Sequence, residues 1–186
     1  MNLEKYQQYS RIARGLEKAD LVLKNARIVN VFTEEIIRGD IAIQDGIIAG
    51  IGSFHGKEER DLAGRYVCPG FIDSHLHLES TLVTPAELVT VASRHGTTTF
   101  IVDPHESANV SGLAGIDYIL DQTEDVKANV YVMMPSCVPA TAIDDNGCTL
   151  TAEDMAPYLH NSRILGLGEV MDSISVVQGE KSMHDK

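Results

Sequence analysis

The feature that most constrains the fold is an alternation of apolar runs with helical segments beyond Pro69. The apolar runs predict strands at residues 71–78, 97–102, 129–134 and 164–170. Between them, helical spacing of apolar residues predicts helices at residues 85–95, 113–122 and 152–159. Strands that alternate with helices at this spacing form βαβ units and a parallel sheet. The sequence therefore predicts an α/β fold.

Residues with useful chemistry lie where these strands end. His75 and His77 follow the first run, the segment Asp103-Pro104-His105-Glu106 follows the second, and Glu169 ends the fourth. A (β/α)8 barrel carries its active site at this end of its strands. Such a barrel needs eight strands. We therefore expect the N-terminal half of a TIM-like barrel, and little or no activity from residues 1–186 alone.

The two histidines are two positions apart at the end of a strand. Side chains at this spacing point to the same face, so His75 and His77 can reach one metal ion. The alternative is a pair of structural histidines with satisfied hydrogen bonds. Asp73 and Glu79 lie beside them and could accept hydrogen bonds that orient the imidazoles. This context favours metal ligation.

Glu169 lies in an apolar, glycine-containing segment, where a buried carboxylate is unfavourable without a partner. A metal ion would be such a partner, and the alternative is a solvated carboxylate at the end of a strand. Pro104 ends the second strand and leaves the following side chains on a loop. For Asp103, His105 and Glu106 three roles stay open: substrate binding, coordination of a further ion, or capping of the next helix.

The region before Pro69 has a different pattern. Residues 1–19 carry apolar side chains at helical spacing among charges, which predicts an amphipathic helix. Residues 20–68 contain short β-type runs, and Asp45-Gly46 between two of them indicates a hairpin. We expect a small antiparallel β-domain at residues 20–68, followed by four βα units at residues 69–186.

The amino-acid composition limits the classes of molecule that the chain is expected to bind. Of the 186 residues, 15 are basic and 27 acidic, and the net charge of -12 disfavours binding to nucleic acid or anionic lipid. The three cysteines form no paired motif, which is typical of reduced thiols in a cytoplasmic protein. Neither a secretion signal nor a membrane-length apolar run is found. A small-molecule substrate is the remaining expectation.

The chain resembles the N-terminal part of bacterial adenine deaminases, which belong to the amidohydrolase superfamily. The matching segments are residues 20–25, 27–32, 64–80, 102–110 and 168–171. The signature from Pro69 to His77 is shared with dihydroorotases and hydantoinases. Many of those relatives carry a carboxylated lysine after the fourth strand, whereas Glu169 and the Asp103 to Glu106 segment resemble adenine deaminases.

The resemblance implies hydrolysis of adenine to hypoxanthine and ammonia by a metal-bound hydroxide, in purine salvage or catabolism. It implies a binuclear manganese or iron centre, with zinc possible, in which His75 and His77 hold one ion and the catalytic Glu169 bridges to a second. The other five acidic and histidine side chains would bind substrate or support the ligands: Asp73, Glu79, Asp103, His105 and Glu106. The resemblance also implies a homo-oligomer and a composite β-sandwich that later segments complete.

Two alternatives remain from the sequence. The chain could belong to another amidohydrolase that acts on a cyclic amide or amidine. It could also be a catalytically inert fragment.

Overall fold

The computed structural model describes residues 2–186. The chain divides into two compact units that meet in sequence between Pro69 and Gly70. They are called the N-terminal unit and the C-terminal unit below. Among the described residues, every helix is too short or too polar to cross a bilayer.

The N-terminal unit consists of one helix and five strands: α1 (Leu3–Ala13), β1 (Ala19–Asn30), β2 (Glu35–Gln44), β3 (Ile47–Gly52), β4 (Gly56–Asp61) and β5 (Tyr66–Val67). The side chain of Asn2 accepts a hydrogen bond from the Lys5 N–H at 2.9 Å and so caps the start of α1. Apolar residues from the helix and the sheet form a small core that includes Ile12, Val22 and Phe54.

The five strands form one mixed sheet in the order β3-β2-β1-β4, with β5 also on β1. The hairpin at Asp45-Gly46 is confirmed, and both residues have the positive φ that a tight hairpin turn requires, 51° and 75°. The expectation of a wholly antiparallel sheet is wrong, because β4 and β5 run parallel to β1. Strand β4 is a charged edge strand, so it gave no apolar signal.

A buried carboxylate connects β1, β2 and the loop between β3 and β4. Asp40 is 7% exposed, and it accepts backbone hydrogen bonds from Asn25 at 3.1 Å and Phe54 at 3.2 Å. The Lys24 ammonium lies 2.5 Å from Asp40 Oδ2 and also donates to the Phe54 carbonyl at 2.8 Å. Each polar group that Asp40 brings into the interior therefore has a partner.

The C-terminal unit alternates strands and helices as predicted. Its elements are β6 (Phe71–Leu76), α2 (Pro85–Arg94), β7 (Thr97–Val102), α3 (His105–Ser111), α4 (Leu113–Gln122), β8 (Asn129–Met134), α5 (Ala152–Met155), β9 (Ile164–Leu167), α6 (Ser173–Gln178) and α7 (Lys181–His184). Short 3-10 turns cover Glu79–Thr81 and Ala156–His160. The prediction missed α3, α6 and α7, and it extended the first and fourth strands too far, to residues 78 and 170.

The four strands of this unit form a parallel sheet in the order β6-β7-β8-β9, which confirms the α/β fold with a parallel sheet. The two middle strands are covered, and Phe100, Val102 and Val132 are at most 2% exposed. Helix α4 packs against them through Ile116 and Ile119. Because the strands are parallel, all four carboxyl ends lie at one edge of the sheet.

Candidate metal centre

Three side chains meet at the carboxyl edge of the parallel sheet. His75 lies on β6, His77 follows that strand by one residue, and Glu169 lies two residues beyond β9. His77 Nε2 is 3.2 Å from Glu169 Oε1, and His75 Nε2 is 3.7 Å from Glu169 Oε2. The two imidazole rings are 4.9 Å apart between centroids, edge to face. The structure thus brings together the three residues that the sequence proposed as ligands.

The orientation of His77 is set by a backbone group. Its Nδ1 lies 2.8 Å from the Asp103 carbonyl oxygen, so Nδ1 carries the hydrogen and donates it. This tautomer leaves the lone pair on Nε2, the nitrogen that faces Glu169. Metal-ligating histidines commonly donate their second N–H to a carbonyl or carboxylate in this way.

The donor set fits a divalent cation. Metal ligands bound at about 2.0–2.2 Å lie roughly 3–3.5 Å apart around one ion. One nitrogen or oxygen atom from each of His75, His77 and Glu169 lies within 4.8 Å of the others, and the closest pair is already at 3.2 Å. Imidazole and carboxylate ligands suit manganese, iron and zinc. Small side-chain adjustments would close the remaining distance.

Asp103 forms hydrogen bonds with two of the candidate ligands, His77 and Glu169. Its side chain is fully buried, and Oδ2 accepts the backbone N–H of Glu169 at 3.0 Å while its carbonyl holds His77. Its other oxygen, Oδ1, lies 2.5 Å from Nδ1 of the buried His105. Among residues 2–186 neither ring nitrogen of His105 makes a hydrogen bond.

Glu79 and Glu106 form a carboxylate pair beside His77. Glu79 Oε1 accepts the backbone N–H groups of Glu106 at 3.1 Å and Ser107 at 3.2 Å, which caps the first turn of α3. Burial raises the pKa of Glu79, and the neighbouring Glu106 raises it further. Burial also opposes ionisation of Glu106, but its own backbone N–H and the Glu79 side chain hold its pKa below the ordinary value.

The charge on Glu106 also acts on His77. Glu106 Oε2 lies 3.3 Å from His77 Nδ1. Burial alone would lower the pKa of His77, but the Glu106 carboxylate, with the Asp103 carbonyl, raises it above the ordinary value. Asp73 differs from the other acidic residues: its carboxylate accepts the His75 backbone N–H at 3.3 Å and belongs to none of the possible metal-binding groups among the described residues.

The sequence-based prediction of the site does not include Ser136. This residue is fully buried just beyond β8, and its hydroxyl donates a hydrogen bond to the Glu169 carbonyl oxygen. The rule that selected the other positions, a polar side chain where a parallel strand ends, applies to Ser136 as well. A serine by itself, however, does not indicate a metal site.

Comparison with known proteins shows the family to which the chain belongs. The model of the Amidohydrolase family matches residues 66–176, which is more than half of the chain. The chain belongs to the amidohydrolase family. The matched residues include all three candidate ligands of this amidohydrolase.

Curated amidohydrolase relatives named adenine deaminase align with nearly the whole chain. The protein of Desulfitobacterium hafniense is 57% identical over 100% of this chain and 33% of its own length. Those of Geobacillus kaustophilus and Clostridium acetobutylicum are 51% and 49% identical over 91% and 94% of this chain, and 29% and 30% of their own lengths. The chain thus spans about a third of the relatives that it matches.

Proposed function

We propose that this chain contributes part of the active site of an adenine deaminase, an enzyme that hydrolyses adenine to hypoxanthine and ammonia. The observation that carries the proposal is the convergence of His75, His77 and Glu169 at one edge of the sheet. The relatives named adenine deaminase, which match over 91–100% of the chain, support the choice of substrate. The role would lie in purine salvage or catabolism.

The proposed cofactor is a binuclear centre of manganese or iron, with zinc as a further possibility. His75 and His77 would hold one ion, and Glu169 would help to hold both. Bound divalent cations supply a Lewis acid and lower the pKa of coordinated water toward neutrality. Asp103 orients His77 and the Glu169 backbone through the contacts described above.

The carboxylate pair would bind substrate or support His77. The pKa of Glu79 is raised and that of Glu106 is lowered, and Glu106 lies beside His77. Asp73 would steady the backbone of His75, and His105 would support Asp103 or contact substrate. Position and hydrogen bonding at the site support these assignments.

For the whole molecule we propose the following arrangement. The four parallel strands would be the first half of a (β/α)8 barrel, with residues 69–186 as its first four βα units. Residues 20–68, preceded by the helix in residues 1–19, would belong to a composite β-sandwich. We further propose a cytoplasmic homo-oligomer that acts on a small molecule and binds neither nucleic acid nor membrane.

A chimera tests the activity. This chain would replace the matching third of the D. hafniense relative, and ammonia release from adenine would be measured with Mn2+ or Fe2+ present. We expect activity in the chimera, loss of activity in its His75→Ala and His77→Ala variants, and retention in a His95→Ala control. We also expect little or no ammonia from residues 1–186 alone.

The same assay separates the alternatives. Ammonia or ring opening with dihydroorotate or a hydantoin, but none with adenine, would assign the chain to another amidohydrolase acting on a cyclic amide or amidine. If a well-folded chimera is inactive on every substrate while the parent D. hafniense enzyme is active, the result would support the alternative that the chain is a catalytically inert fragment.

A further inference from the structure

The backbone N–H and carbonyl of Glu169 are both held by buried side chains that lie just beyond other strands of the sheet. Its N–H donates to Asp103 Oδ2 at 3.0 Å, and its carbonyl oxygen accepts the Ser136 hydroxyl. Asp103 follows β7 and Ser136 follows β8. Within residues 2–186 the last backbone pairing between β8 and the β9 segment is Gly168 N–H to Met134 O, at 2.7 Å. Beyond that point the backbone is held by hydrogen bonds to side chains instead of to a neighbouring strand.

Ser136 is itself firmly placed. It is fully buried, and its carbonyl oxygen accepts a hydrogen bond from Lys186 Nζ at 2.8 Å. The Cys137 sulfur lies 3.1 Å from its hydroxyl oxygen and can occupy the remaining hydrogen-bonding position. A hydroxyl in such surroundings has few alternative orientations, so its bond to Glu169 is well defined.

We propose that Ser136 is a positioning residue for Glu169. By fixing the carbonyl of Glu169, its hydroxyl sets the direction in which the side chain leaves the backbone. The two carboxylate oxygens then face Nε2 of His75 and of His77. The Glu169 side chain is 39% exposed and has several rotatable bonds, so it depends on a fixed backbone for its direction. The inference rests on the proposed function in that these three residues hold a cation.

A purely structural serine would have a different signature. Loss of a structural hydrogen bond lowers stability throughout the unit, whereas loss of a positioning bond changes Glu169 and the metal affinity specifically. Supporting residues behind metal ligands typically change affinity by about 10–100-fold when removed. Ser136→Ala should therefore act at Glu169 first, and Ser136→Thr, which keeps the hydroxyl, should restore the unsubstituted behaviour.

The first measurement needs no metal. In the purified chain, the 13C signals of the Glu169 backbone carbonyl and side-chain carboxyl would be compared among variants, together with amide exchange at Glu169 and Val132. In Ser136→Ala we expect both carbon signals to move and exchange to accelerate at Glu169 alone. The matched control is Ser93→Ala, because among the described residues the buried Ser93 hydroxyl has no hydrogen-bond partner. Unchanged Glu169 signals in Ser136→Ala would overturn the proposal.

The second measurement is Co2+ titration followed by its visible absorption. We expect roughly tenfold weaker binding in Ser136→Ala and recovery in Ser136→Thr. Carbon signals that move without any change in Co2+ affinity would show that the bond does not position the carboxylate, which also overturns the proposal. Absence of Co2+ binding in the unsubstituted chain would count against the proposed metal function, and the carbon signals of the Glu169 carboxyl would still decide the role of Ser136.

Protection of the Val132 amide reports whether each variant is folded. If Ser136→Ala unfolds, Ser136→Cys takes its place, since a thiol has similar volume but is a weaker donor. The same shifts at Glu169 and the same weaker Co2+ binding are then expected in Ser136→Cys.

Discussion

At the residue scale, the site depends on a close approach that only glycine permits. A Cβ atom on Gly168 would lie 2.3 Å from Oδ2 and 2.9 Å from Cγ of Asp103. Asp103 is fully buried and holds both His77 and Glu169, so it cannot move aside without disturbing a proposed ligand. The identity of residue 168 therefore bears directly on the geometry of residue 169.

Gly168→Ala should weaken metal binding. The added methyl group would push the Asp103 carboxylate off the Glu169 N–H, and we expect about tenfold lower Co2+ affinity with a loss of about 1–3 kcal/mol in stability. Co2+ titration and urea unfolding measure the two effects. Gly52→Ala is the control, because its Cβ would make only an ordinary 3.4 Å contact with Phe54. Equal affinities in Gly168→Ala and the unsubstituted chain would contradict this account of the site.

At the scale of the elements, Asp40 makes the sheet of the N-terminal unit sensitive to acid. Burial would raise the pKa of Asp40, but the Lys24 ammonium and the N–H groups of Asn25 and Phe54 hold it below the ordinary value of 3.8. A lowered pKa in the folded state means that this contribution to stability is present above about pH 4. It is lost as the pH falls through the folded pKa.

Asp40→Asn should therefore destabilise the protein at pH 7 by about 1–3 kcal/mol, because the buried donors around position 40 lose their charged acceptor. The difference from the unsubstituted protein should shrink as the pH falls below about 4. Urea unfolding at a series of pH values measures this difference. Glu34→Gln, in the exposed turn between β1 and β2, serves as the control with little effect at any pH. A difference that stays constant with pH would show that the charge of Asp40 is not involved.

The elements also show what the sequence could predict. Apolar runs and helical spacing were sufficient for the four parallel strands and for α4, which begins and ends where predicted. Strand β4 was missed because an edge strand of charged residues lacks the apolar pattern. Helix α3 was missed because it begins at His105, in the segment that was predicted to be a loop. His75, His77 and Glu169 could be selected from their places at strand ends. Ser136 also lies just beyond a strand, but its contact with a backbone carbonyl 33 residues away can be seen only in the structure.

At the scale of the whole molecule, the parallel sheet has two outer strands with apolar faces. Among residues 2–186 no strand pairs with the free edge of β6 or of β9, and Ile72 and Leu165 on these strands are 63% and 51% exposed. Unpaired strand edges next to exposed apolar side chains favour association between chains. The relatives, about three times as long as this chain, have further sequence that could cover such edges.

We therefore expect the purified chain to self-associate and to bind an apolar fluorescent dye. The double substitution Ile72→Lys and Leu165→Lys should reduce both effects, because a charged side chain on an edge strand disfavours pairing with another chain. Sedimentation velocity and dye fluorescence measure the change. Leu159→Lys is the matched control, since Leu159 is 63% exposed but lies in a 3-10 turn outside the sheet. The sheet edges do not drive association if the chain is monomeric and does not bind the dye. The same conclusion would follow if the double variant and the control had equal effects.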